Sequence, residues 1–214
     1  RVVVHGINTT DDGEVFVTGL FSGTIDADPT HREDLRTAQS EQAIQIAKLG
    51  RNGRPEWVRV FENATPWTLE SGIANNGSML LTGYFRQPLP NIGRPWLGAP
   101  SSDERTNIFA VLNLAPNGNV RWGRVLNFTG VDSRESKITV RAESNGEATI
   151  VFPATLVPVE DPDAPDPAVM DQLVVIRISP NGRRLWRRSI HFPLRHDASA
   201  TIRRLTDGTT IVLG

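Results

Sequence analysis

Chemistry in a polypeptide needs nucleophiles, proton carriers or metal ligands, and this chain of 214 residues has few of them. It contains no cysteine, so thiol nucleophiles, thiolate metal sites and disulfides are all excluded. Its four histidines, His5, His31, His191 and His196, include no pair at the i, i+4 spacing of a zinc-binding helix. No Gly-x-Ser-x-Gly elbow is present. The densest oxygen donors are Asp161, Asp163 and Asp166, alternating with prolines between positions 159 and 167. Carboxylates on a stiffened chain can gather around calcium, although the stretch lacks the glycine and glutamate of an EF-hand loop. Asp26, Asp28, Glu33 and Asp34 fail the same test, with His31 at the would-be glycine. The alternative for both is a solvated acidic loop. Among contact residues, Trp96 beside Arg94 and the unpaired Trp67 suit recognition of a partner.

Net charge is −1, so no global field steers the chain to nucleic acid. No run of 18 apolar residues is present to insert in a membrane as a helix.

The elements that must position these residues announce themselves by repetition. Asn-Gly stands at 52–53, 117–118 and 181–182, and four residues after each glycine comes a tryptophan: Trp57, Trp122 and Trp186. Two residues further stand Arg59, Arg124 and Arg188. A second punctuation series, at 12–13, 76–77, 145–146 and 207–208, is interleaved with the first. Asx-Gly pairs are strong hairpin signals, because tight turns between twisted strands need positive φ. Each unit therefore reads as four strands, the first as 2–7, 14–21, 43–49 and 56–61. The third strands, 44–49, 108–114 and 173–178, are almost continuously apolar and are expected to be buried on both faces. In the fourth strand the tryptophan, the arginine and the next odd residue share one face. A stretch at 34–47 also has roughly helical spacing, but register with the other units overrides it from position 43 onward.

Four-stranded antiparallel sheets at this period predict an all-β chain of β-propeller blades. Three are complete, at about 2–66, 67–130 and 131–193, and 194–214 supplies half of a fourth. This is the expected content of a segment of a larger propeller. Trp57, Trp122 and Trp186 are then interblade core residues.

The motif Phe16-Val17-Thr18-Gly19-Leu20-Phe21-Ser22-Gly23-Thr24-Ile25-Asp26 resembles the second strand of a bacterial propeller repeat. So do Ile46-Ala47-Lys48-Leu49 through Asn52-Gly53 to Trp57, Leu112-Asn113-Leu114-Ala115-Pro116-Asn117-Gly118 to Trp122, and Ile178-Ser179-Pro180-Asn181-Gly182 to Trp186. The family is the seven-bladed β-propeller repeat of secreted or surface-anchored bacterial proteins. The resemblance implies an extracellular or cell-surface place and a scaffold or adhesion role, with no catalytic residues to carry over and no cofactor. Two departures stand out. Val151-Phe152-Pro153 replaces the Thr-Gly pair in the third unit, predicting a kinked strand, and the loops after the second strands are long.

Those loops, 22–42, 86–106 and 153–172, must emerge on one face and form the expected binding surface. The function expected is a non-catalytic scaffold or binding module, engaging a protein partner or the remaining blades of the same protein. A glycan-binding, lectin-like adhesin is the alternative.

Overall fold

The computed structural model describes residues 1–28, 30, 32–62, 64, 66–85, 89, 96–97, 108–126, 131–132, 138–143, 145–156, 170–191, 201–204 and 210–213. Among them there is no helix.

The first sheet is built from β1 (Val2–Thr9), β2 (Val15–Phe21), β5 (Ala43–Leu49) and β6 (Pro55–Phe61), in that order and antiparallel throughout. Between β2 and β5 a small separate hairpin is inserted, β3 (Thr24–Asp26) with β4 (Leu35–Thr37). The second sheet repeats the order with β7 (Pro66–Ile73), β8 (Met79–Phe85), β10 (Ile108–Leu114) and β11 (Val120–Leu126). It gains a fifth strand, β9 (Trp96–Leu97), which pairs in parallel with β11. In the third sheet the first-strand position is shared by β12 (Val131–Asp132) and β13 (Thr139–Ala142). β14 (Ala148–Leu156), β15 (Met170–Ile178) and β16 (Arg184–His191) follow. A last hairpin joins β17 (Thr201–Arg204) to β18 (Thr210–Leu213).

The turns explain the order. At the third-to-fourth strand connection of the first sheet, Gly53 N donates to Gly50 O, and Arg54 N donates to Asn52 Oδ1. Gly118 and Gly182 close their turns identically onto Ala115 and Ser179. The asparagine side chain supplies an acceptor that the tight backbone lacks, and the glycine takes the positive φ that ends a three-residue loop. Asp12 and Asn76 sit in matching turns between first and second strands, at the same end of the sheet. There Arg51 Nε donates to the carbonyl of Asp12. The long connections therefore leave from the opposite end, where Glu62, just after β6, accepts from Gln39 N and Ser40 Oγ at 3.0 Å each.

Successive sheets bury side chains between them. Phe16, Ile44 and Ile46 of the first sheet meet Met79, Leu81, Phe85 and Leu112 of the second. The alternate residues Leu80, Tyr84, Phe109 and Val111 point the other way, onto Ile150, Phe152, Val174 and Ile176. Period-two alternation thus leaves β8 and β10 apolar on both faces, because both faces are covered. The first strands stand beside one another: β1 by β7, β7 by β13, and β13 by β17.

Two expectations change. The third strands are not wholly apolar inside, since Lys48 and Asn113 are buried and Arg177 nearly so. Nor does Pro153 disturb β14 against β15, where nine residue pairs run without a register shift. The break falls on the other edge, where β12 pairs with 155–156 and β13 with 148–151. A proline has no N–H to donate, so one neighbour can be lost while the other ladder continues.

Candidate functional site

The most repeated chemistry in the molecule lies between sheets. In each of the three sheets the register slips by one residue just before the tryptophan, leaving Glu56, Arg121 and Leu185 as extra residues. A bulge of this kind re-aims the next side chain and increases local twist. Trp57 Nε1 consequently reaches the next sheet and donates to Pro116 O at 2.8 Å. Trp122 Nε1 does the same to Pro180 O at 2.7 Å.

The arginine two residues on completes the clasp. Arg59 donates to Gly118 O and Asn119 Oδ1, each at 2.9 Å, and Arg124 donates to Gly182 O at 2.6 Å. The indole lies on the turn so closely that a Cβ on Gly118 would stand 2.8 Å from the Trp57 ring, and one on Gly182 2.9 Å from that of Trp122. Glycine is required there twice over, by the positive φ of 77° and 81° and by the ring above. Trp186 breaks the pattern expected for it: no turn lies against it among the described residues, and it is 41% exposed against 8% for Trp122.

Opposite each tryptophan in the third strand stands Lys48, Asn113 or Arg177. Lys48 Nζ pairs with Glu14 at 2.7 Å and Glu56 at 2.8 Å. Burial presses its pKa down, but the two carboxylates outweigh burial and hold the ammonium above its ordinary range. Arg177 pairs with Glu147 at 2.7 Å and donates to Thr149 Oγ1 at 2.8 Å. The polar interruption of each apolar run was visible in the sequence; its carboxylate, 30 or more residues away, was not.

At the long-loop end, the β3–β4 hairpin is a built finger. Asp26 Oδ1 accepts from Asp28 N and Asp34 N at 3.0 Å each, and Asp34 pairs with Arg36 at 2.8 Å. Asp28 accepts from Thr30 N at 2.8 Å, and the bonds from the Thr30 side chain and backbone hold its carboxyl below the usual range. These carboxylates are committed to backbone and arginine. No group of three or more His, Asp or Glu side chains is placed to hold a metal among the described residues. Leu35 is exposed on this finger.

Asp161, Asp163 and Asp166, as well as Arg94, His31 and His196, lie outside the described residues. Trp67 falls in β7 and Trp96 in β9, a strand and not an irregular loop. They occupy the two ends of the sheet order β7-β8-β10-β11-β9. Four strand spacings, about 19 Å, separate them, so they do not form one contact cluster.

No protein-family model matches the chain, and a search of curated proteins finds no similar sequence.

Proposed function

We propose that the chain is a run of β-propeller blades, three complete and one half, that serves as a non-catalytic extracellular or cell-surface scaffold. It engages a protein partner through the face carrying the long loops. The observation that carries this reading is the pair of clasps. Trp57 on Pro116 and Trp122 on Pro180 are the same junction made twice, and one junction repeated about a line of adjacent first strands is what radial repetition requires.

The residues that recur are those that join sheets, whereas the loops at the far end differ in length and sequence. Such variation on a constant frame is how scaffolds carry recognition. The β3–β4 finger, fixed at its base by Glu62 and presenting Leu35, supports placing the contact at that end.

The test places a photo-crosslinking benzoylphenylalanine at Leu35, on the finger, or at Asn52, on the opposite end, in the protein displayed on its native cell. Adducts to a second protein from position 35 and none from 52 are expected. Adducts from 52 alone would overturn the assignment. Saturable binding to a glycan array without any protein adduct would favour the lectin alternative.

A further inference from the structure

The outer face of the third sheet is half covered. Leu173 and Val175 of β15 point to it with Val151 of β14, and all three are buried. Their cross-strand neighbours on β16 are not: Ile190 pairs with Leu173 and Arg188 with Val175, and Trp186 follows opposite Arg177. Trp186 is 41% and Ile190 40% exposed, while Leu126, the counterpart of Ile190 in the second sheet, is 6% exposed. Among the described residues, Arg188 donates only to its neighbour's carbonyl, Arg187 O.

Coverage stops in a telling place. β17, beside β13, and β18 stand as the first two strands of an adjoining sheet. In the two complete junctions, the part that seats on the tryptophan and arginine is the third-to-fourth strand turn of the next sheet.

We infer that the Trp186–Arg188–Ile190 face is a docking site for a β-hairpin of the same repeat type, with a Pro-Asn-Gly turn, which pairs antiparallel with β18. Its glycine packs under the Trp186 ring. The carbonyl two residues before that glycine accepts from Trp186 Nε1, and the carbonyl of the glycine accepts from Arg188. A second copy of this chain fits less well. It does offer an uncovered turn, since nothing lies within 4 Å of a Cβ built on Gly53. But its own β1–β2 hairpin would have to occupy the place of β17 and β18. The inference rests on the two clasps and holds whether or not the sheets close into a ring.

The probe is a fluorescein-labelled peptide of residues 108–126, which carries the Pro116-Asn117-Gly118 turn, titrated into the whole protein by anisotropy. Saturable binding is expected, weakened more than about tenfold by Trp186→Ala in the protein or by Gly118→Ala in the peptide. Because a free hairpin is marginal in water, the same segment is also fused after Gly214 through a flexible linker. Slowed hydrogen exchange at 210–213 and at the Trp186 indole is then expected, and Gly118→Ala in the fused copy should abolish it. The inference fails if neither format binds or protects, or if both variants leave binding unchanged. Self-association by sedimentation that is lost in Gly53→Ala would assign the face to a second copy instead and overturn it.

Discussion

The junction between the first and second sheets and the junction between the second and third are made by the same clasp and filled by different material. Near the first strands, the first junction is polar. Asn8 donates to Ser71 Oγ at 2.9 Å, and Thr18 Oγ1 lies 3.1 Å from the same hydroxyl. At the second junction the corresponding space holds aromatic rings: Tyr84, Phe109 and Phe152, with Phe109 and Phe152 stacked at 4.9 Å. Counting back from the turn asparagines, the position of Ser71 is taken by Val140, and Thr82 repeats Thr18. Thr82 Oγ1 is buried with no hydrogen-bond partner among the described residues. The same holds beside the tryptophan. Lys48 has two carboxylates, whereas Asn113 reaches only Met79 O at a long 3.5 Å and leaves its Oδ1 unpaired. The clasp fixes the geometry of the junction, and the remaining interface is free to be polar or aromatic, provided that each donor and acceptor keeps its partner.

The sharpest test of the common part is truncation of the clasp. Trp122→Ala should cost about 3–5 kcal/mol in urea unfolding, since it empties a large site and orphans the Pro180 carbonyl. Trp57→Ala, at a more accessible ring, should cost somewhat less. A loss within about 0.5 kcal/mol at both would remove the clasp from the account of stability.

Next in size is the turn. Gly118→Ala and Gly182→Ala should each exceed Gly53→Ala by about 1–2 kcal/mol. All three strain a positive φ, but only the first two push a methyl into an indole. Equal costs at the three glycines would mean that the rings yield freely.

The differences between junctions come next. Lys48→Met should destabilise by about 1–2 kcal/mol, whereas Asn113→Leu should be nearly neutral. The lysine also predicts a pH signature. Its folded pKa is raised, so its contribution is fully present below the unfolded value of about 10.4 and is lost as pH rises through the folded one. Lys48→Met should flatten stability measured across that alkaline window, and an unchanged slope would discount the pair.

Smallest is the hydroxyl comparison. Thr18→Val should cost about 1 kcal/mol, since Ser71 loses a buried partner, while Thr82→Val should be neutral or slightly stabilising. Equal effects would mean that Thr82 is already satisfied.

Much of the frame was legible in the residues alone. The Asx-Gly turns, with alternation between them, give strand order directly, because turn chemistry and period are local. The shared face of Trp57, Arg59 and Phe61 follows in the same way. What the clasp grips was not legible: the acceptor lies 58 or 59 residues onward, and the bulge that aims the indole leaves no residue signature. The carboxylate partners of Lys48 and Arg177 are hidden by the same separation in sequence. The β3–β4 finger escaped because its capping by Asp26 uses backbone N–H groups, which sequence does not distinguish. Strand β9 is two residues long, below what any periodicity can register.

Each unit carries both halves of its junctions, the reaching indole on its last strand and the receiving glycine turn just before it. An array of such units has a direction, with two unlike ends, and its energy is a sum over nearest neighbours. Duplicating or deleting one whole unit therefore leaves every remaining seam matched, so that the number of sheets can change without altering any sheet. A lesion at one seam, by the same logic, weakens two neighbours and spares the others.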